Sequence, residues 1–189
     1  VSGVHFKNDL EGLMYTLDLL KKNHTVLIEE KLEGDEFTLM SYSDGTYFSH
    51  MPVVTDFKQL EKEDSPNTGS MGCISYSNHR APFLTESDIV LAREINCKTV
   101  EFLNKDNKEL YKGIIYGSYI KCYSGEIKII EFNSRYGDPE CINVLELLET
   151  SLYDIYEGII HDKLVFVTPI YSNVNMVSKY LVPDFYPEK

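Results

Sequence analysis

Positive charge is what this chain is short of. Its 18 Lys and Arg stand against 30 Asp and Glu, for a formal net charge of −12. A nucleic-acid duplex or long single strand would meet a repulsive surface, so nucleic-acid binding is not expected. A small anion remains possible where local cations or a metal offset the field. Long apolar runs are missing as well. None approaches the length a bilayer needs, and the start, VSGVHFKNDLEG, turns polar within a few residues, so neither a membrane span nor a secretory signal is expected. Cysteine is sparse. Cys73, Cys97, Cys122 and Cys141 are scattered without a CxxC pair, which fits reduced thiols in a cytoplasmic protein better than a disulfide framework. His5, His24, His50, His79 and His161 show no metal-ligand spacing and read as surface or packing residues. There are no internal repeats and no low-complexity segments.

What is present suits a folded protein. The 189 residues, 43% hydrophobic and 25% charged, provide for one sizeable core, or one domain and a piece of another. Asn8 can cap a helix whose Leu10, Leu13, Met14, Leu17 and Leu20 recur at helical spacing, closed by Lys21 and Lys22. A strand is expected over Thr25 to Ile28. Two strand-like segments then flank the hairpin turn Ser43-Asp44-Gly45. Residues 56 to 82 show no periodicity and read as a long loop. A helix from Glu86 to about Asn104, capped by Thr85, turns Ile89, Ala92 and Ile95 inward. Strands follow at Gly113–Tyr123 and Glu126–Asn133, then a helix over roughly Asn143–Ile160, and further β structure after Lys163. Hairpins with helices predict an α+β fold, an antiparallel sheet covered by helices.

Three stretches carry chemistry. In KIIEFNSRYGDPE, alternation puts Glu131 and Asn133 on one strand face, opposite Ile130 and Phe132, with Arg135 continuing the row. A carboxylate and an amide oxygen are hard ligands suited to Mg²⁺, and a guanidinium offers a planar fork to a phosphoryl or carboxylate oxygen. An exposed sheet face with a surface ion pair is the plainer explanation, but three complementary groups in alternation favour a site. VLIEEKLEGDEF gathers Glu29, Glu30, Glu33, Asp35 and Glu36 around Gly34. Such a run is usually a solvated face, yet a strand entering a short connection can also read a nucleotide base through its backbone. SPNTGSMG, Ser65 to Gly72, has the small residues that let backbone N–H groups approach an anion, a weak signal alone.

Together these stretches resemble the ATP-grasp ligases, and among them the phosphoribosylamine–glycine ligase family. EFNSRYGDPECI is similar to its EFN strand and R-F-G-D-P-E-x-Q signature, with Tyr136 for Phe and Ile142 for Gln. PNTGSMG matches its P-N-T-G-G-M-G with Ser70 for Gly, and IEEKLEGDE its hinge. Thr55-Asp56-Phe57-Lys58-Gln59 keeps the Asp and Lys of T-x-D-H-K-R but not the His or Arg. The resemblance implies an ATP-grasp fold over residues 1–163, with 164–189 beginning a small β-rich C-terminal domain. It also implies that the family's N-terminal domain and first lobe precede these residues, so the chain reads as an internal segment of a larger enzyme, or as a degenerate copy, inactive by itself.

The implied reaction joins glycine to 5-phosphoribosylamine with ATP, through glycyl phosphate. Implied metal ligands for Mg²⁺ or Mn²⁺ are Glu131 and Asn133. Arg135, Asp138 and Lys58 would be catalytic. Glu30 and Leu32 would read adenine and Glu36 the ribose, while Asp56, Asn67, Thr68, Gly69 and Gly72 would border the acceptor. The remaining domains of the parent enzyme are the expected partners. Two alternatives stand beside this reading. Another ATP-grasp carboxylate–amine ligase should lack RYGDPE and PNTGSMG, and a non-catalytic nucleotide-binding fragment would show no turnover even with its flanking regions restored.

Overall fold

The computed structural model describes residues 9–22, 24–59, 67–105, 107–183 and 186. The chain divides into two compact units, residues 1–33 and 34–189. In the first, α1 (Asp9–Lys21) forms where the leucine spacing predicts it, and Lys22 pairs with Asp18 one turn back at 2.6 Å. Its expected cap, Asn8, lies outside the described residues. The stripe of Leu10, Leu13, Met14, Leu17 and Leu20 is exposed, since no other helix or strand forms among the described residues of this unit to cover it. The strand expected at Thr25–Ile28 does not form. Those residues pair with no strand of their unit, and Leu27 and Ile28 are 79% and 77% exposed.

The second unit is a sheet with helices on both faces. Its strands are β1 (Gly34–Ser43), β2 (Phe48–His50), β3 (Val54–Gln59), β4 (Asn67–Ser75), β5 (Gly113–Cys122), β6 (Ile127–Asn133) and β7 (Met176–Lys179). They run in the order β6-β5-β1-β3-β4-β7, with β2 on β1, and every pairing is antiparallel. Alternation along the central strands divides the core in two. Phe37, Leu39 and Tyr119 point to one face and pack on Ile89 and Ala92 of α2 (Glu86–Lys105). Met40, Tyr42, Val54 and Tyr116 point to the other and pack on Val144, Leu147, Ile155 and Ile159 from α3 (Glu140–Leu147) and α4 (Leu152–Ile160). Thr85 caps α2 as expected: its Oγ1 accepts from the Asp88 N–H at 3.3 Å, and Asp88 accepts from the Thr85 N–H at 2.8 Å.

Three further expectations are corrected. Among the described residues of the supposed loop over 56–82, β3 and β4 form an antiparallel pair, in register at Val54↔Ser75, Thr55↔Ile74 and Asp56↔Cys73. Its alternation is hidden by glycines and hydroxyl residues that bury well in a strand, among them Thr68 and Ser70. The single helix expected over 143–160 is two. Leu148 leaves helical geometry at φ −72° and ψ 119° to bridge Tyr171, and Ser151 caps a new helix by accepting from the Asp154 N–H. The β structure expected after Lys163 begins instead with a 3-10 turn at Leu164–Phe166, and β7 then pairs with β4 in the same sheet.

Candidate active site

On the face that carries α3 and α4, apolar side chains give way to polar ones beyond the N-terminal end of α3. The register places Ser118 opposite Glu131 and Tyr116 opposite Asn133, while Glu36, Thr38 and Met40 of β1 lie opposite Ile120, Ser118 and Tyr116. Period-2 alternation therefore puts Glu36, Thr38, Tyr116, Ser118, Glu131 and Asn133 on one face. Asp56 and Lys58 join them from β3, two and four residues beyond Val54, the partner of Thr38. Acids, an ammonium, hydroxyls and an amide thus share one surface.

Glu131 and Asn133 stand as the spacing predicts. The Asn133 Nδ2 donates to Glu131 Oε1 at 2.9 Å, and the carboxylate is exposed at the sheet's edge strand. The opposite face differs in detail. A register shift between Ser118 and Tyr119 makes Ile130 an extra residue, so Ile129 pairs with Tyr119 and Phe132 with Gly117. Arg135 does not continue the alternating row, because the strand ends at Asn133 and the chain bends. The exposed Arg135 guanidinium donates to the Tyr136 carbonyl at 2.8 Å. Asp138, exposed on the next turn, accepts from the Tyr180 hydroxyl at 2.6 Å, a contact that pushes the phenol up to about 12.

Lys58 and Glu36, assigned from different stretches of sequence, meet at 2.5 Å. Burial would lower the Lys58 ammonium, but the Glu36 hydrogen bond and charge, helped by Asp56 and Glu131, hold it above its ordinary value. Asp56 sits beside them and accepts from the Ser70 hydroxyl. Burial raises its carboxyl to about 6, against the Ser70 hydrogen bond and with help from the Glu140 charge.

Glu140 was not among the residues singled out by sequence, although it ends the RYGDPE motif. It is 3% exposed at the first position of α3 and accepts from Thr38 Oγ1 at 3.1 Å and Tyr116 Oη at 2.8 Å. A buried carboxylate of this kind persists only where it is hydrogen-bonded. No spacing rule finds it, because its partners lie 102 and 24 residues away.

The other expected residues are less concentrated. Glu30 and Leu32 lie in the first unit, in an extended stretch where Lys31 pairs with Glu33 at 3.0 Å. Asn67, Thr68, Gly69 and Gly72 form strand β4, not an open loop. Thr68 is buried and donates to the Lys58 carbonyl at 2.8 Å, while Gly69 is exposed. A Cβ on Gly72, whose φ is +151°, would lie 2.3 Å from the Ser178 carbonyl, so the close approach it permits is that of β7. A separate concavity of about 490 Å³, lined by Thr46, Glu109, Leu110, Lys112 and Asp162, lies beyond the other end of β1 and shares no residue with this face.

Among the described residues no three His, Cys, Asp or Glu side chains cluster to enclose a metal, and no helix is long and apolar enough to cross a membrane. One accessible carboxylate beside one amide oxygen is a donor set that fits Mg²⁺, which takes one or two protein oxygens and completes its shell with water and phosphate.

Comparison with known proteins places the chain among named relatives. A phosphoribosylamine–glycine ligase of Methanothermobacter thermautotrophicus is 40% identical over 193 residues, and one of Pyrococcus furiosus 43% identical over 189. Both alignments take in 100% of this chain but only 43% and 42% of those proteins, so the chain spans less than half their length. The crystal structure of the Thermotoga maritima phosphoribosylamine–glycine ligase superposes on 85% of this chain, and on 39% of its own, with a TM-score of 0.63 and 27% identity. An N5-carboxyaminoimidazole synthase from Aspergillus clavatus, solved in complex with ADP, shares the fold at 15% identity with a TM-score of 0.58 over 82% of this chain. The family described as phosphoribosylglycinamide synthetase, ATP-grasp (A) domain, matches residues 7–141, a stretch that takes in IEEKLEGDE, the EFN strand and RYGDPE. On that match the α+β sheet described above is an ATP-grasp fold, and the chain belongs to the phosphoribosylglycinamide synthetase ATP-grasp domain family.

Proposed function

We propose that the parent enzyme joins glycine to 5-phosphoribosylamine with ATP, through glycyl phosphate, giving glycinamide ribonucleotide, ADP and phosphate. The observation that carries this reading is the pairing of Glu131 with Asn133 on an open polar face that also presents Lys58. The names of the relatives at 40% and 43% identity support it. Mg²⁺–ATP would supply the activating phosphoryl group, with the metal offsetting its charge. Glu131 and Asn133 would hold the metal, and Arg135 with Lys58 would steady phosphoryl oxygens in a chain whose net charge of −12 otherwise repels them. Asp138 would complete the catalytic set on the turn after Arg135. From the family resemblance, Glu30 and Leu32 are assigned to adenine and Glu36 to the ribose. Asp56 and the β4 stretch from Asn67 through Thr68 and Gly69 to Gly72 are assigned to the acceptor side. Residues 1–163 would form the ATP-grasp domain and 164–189 the passage into a β-rich C-terminal domain, the whole acting in the cytoplasm.

The test is glycine-dependent ADP release by the parent enzyme carrying Glu131→Gln or Asn133→Ala. Each change should lower turnover roughly 100-fold or more, and because both residues lie at the edge strand, melting should be nearly unchanged. Near-normal turnover in both variants sinks the metal assignment.

A further inference from the structure

The polar face holds two carboxylates that metal and nucleotide binding leave unused, Asp56 and Glu140. They come from different layers, β3 and the first turn of α3, and they feel each other's charge. Glu140 is fixed by Thr38 and Tyr116 and is almost completely buried. Asp56 is less enclosed: it is half-buried beside the Lys58–Glu36 pair and takes one hydrogen bond from Ser70. One acid is locked and the other has access to the open part of the face.

We propose that Asp56 is the general base for the amine: it stands beside the Lys58–Glu36 pair, is held by the Ser70 hydroxyl, and is partly exposed where Glu140 is buried. This rests on the ligase reading above and names a group for its second half. There the amine nitrogen forms a bond to the acyl carbon of the aminoacyl phosphate, and the carbon–oxygen bond to phosphate breaks. The electron pair of that bond leaves with phosphate. The nitrogen must also lose a proton, and an Asp56 carboxylate oxygen receives it, to be released to water after phosphate has departed.

The surroundings match that duty. Asp56 faces Glu36 from β1, Lys58 from its own strand, Ser70 and Cys73 from β4, Tyr116 from β5 and Glu140 from α3. Glu131 on β6 acts on the neighbouring Lys58. From β7 the nearest paired side chain is Ser178, opposite Cys73, and it is bonded to Asn143. Burial first, then the Glu140 and Glu36 charges, raise the Asp56 carboxyl to about 6, while Ser70 and Lys58 pull it down. A base titrating there is ionised at neutral pH yet binds a proton far better than an ordinary carboxylate, the compromise that general-base catalysis favours. An ordinary aspartate would be a weaker base.

The test separates the two half-reactions in the parent enzyme. With hydroxylamine replacing the amine substrate, glycyl phosphate is trapped as glycyl hydroxamate, and this nucleophile needs little help from a base. Asp56→Asn should lower ligation of phosphoribosylamine roughly 100-fold or more, and should lower hydroxamate formation by a much smaller factor. In the pH profile of kcat/KM, Glu140→Gln should move the acid limb to lower pH. Ser70→Ala, which removes the hydrogen bond that stabilises the ionised form, should move it the other way. Equal loss of both reactions in Asp56→Asn, or retained ligation, overturns the base assignment. Acid limbs that stay in place in both other variants overturn the assignment of that limb to Asp56. If the unaltered protein forms no glycine-dependent hydroxamate, the ligase reading falls, and this proposal with it. Normal hydroxamate formation with ligation indifferent to Asp56 overturns this proposal alone.

Discussion

Asn96 is fully buried in α2, yet its amide is satisfied on both sides. Nδ2 donates to the Leu39 carbonyl at 3.0 Å and to Ser41 Oγ at 2.9 Å, and Oδ1 accepts from the Tyr119 hydroxyl at 2.6 Å. Ser41 Oγ in turn bonds His50 Nδ1 at 2.8 Å, so one amide ties the helix to two strands and a histidine. Asn96→Ala leaves several buried polar groups short of a partner and should cost about 2–4 kcal/mol in urea unfolding. A loss under about 1 kcal/mol would show that the network contributes little beyond packing. Sequence showed that a helix stands here and that Ile89 and Ala92 turn inward, but Asn96 falls among residues that usually face solvent. At the site the same limit applies. Glu131 and Asn133 were legible because two residues of spacing on one strand fixes their relation. Glu140 was not, because burial and its hydrogen-bond partners are properties of the fold.

At the scale of elements, hydrophobic periodicity located α1, α2, β1, β5 and β6 closely, and it failed where backbone geometry rather than side-chain pattern decides. The β3–β4 pair reads as a loop because Asn67–Ser75 is rich in glycine and hydroxyl residues. In the structure those residues let β4 pair on both sides, with β3 and with β7. Gly72 is the point of closest approach. Its positive φ and the Ser178 carbonyl 2.3 Å from a would-be Cβ leave no room for alanine. Gly72→Ala should therefore destabilise by more than about 2 kcal/mol, whereas Gly69→Ala, with nothing within 4 Å of its would-be Cβ, should change melting little. Equal, small effects on melting would mean that β7 is not held against β4 in solution. The split of α3 from α4 has a similar cause. Leucines continue through Leu147, Leu148 and Leu152, but Leu148 is captured by its bridge to Tyr171 and Ser151 offers a cap.

At the scale of the whole molecule, two half-buried titrating groups oppose each other. Burial lowers His50 to about 4, with help from Arg93, so the folded state keeps the ring neutral while an unfolded histidine takes up a proton near 6.5. Stability from the neutral ring is complete above about pH 6.5 and falls as pH drops toward 4. Asp56 works the other way: held at about 6 against an ordinary 3.8, it favours the folded state at low pH, and that contribution is lost as pH rises through 6. Asp56→Asn removes the second effect and leaves the first. The variant should be more stable than the unaltered protein at about pH 8, by about 1 kcal/mol after allowance for solvent screening. That advantage should vanish near about pH 4, where the native Asp56 is increasingly protonated. Melting curves at the two pH values check it, and a less stable variant at the higher pH would contradict the partial burial of this carboxyl. The gain accompanies a loss of ligation, as expected where a functional group is kept at a cost in stability.

What the sequence determined by itself is what depends on neighbours along the chain. Strand alternation set Glu131 beside Asn133, helical spacing and caps placed α1 and α2, and the blocks IEEKLEGDE, PNTGSMG and RYGDPE carried the family resemblance. Only the tertiary structure decided what depends on residues far apart in number. Lys58 meets Glu36 across 22 residues, Glu140 meets Thr38 across 102, and β7 closes on β4. The reason is physical. Local geometry follows from φ, ψ and side-chain period, whereas burial, and with it the basicity of Asp56 and the locking of Glu140, exists only once distant strands and α3 share one face.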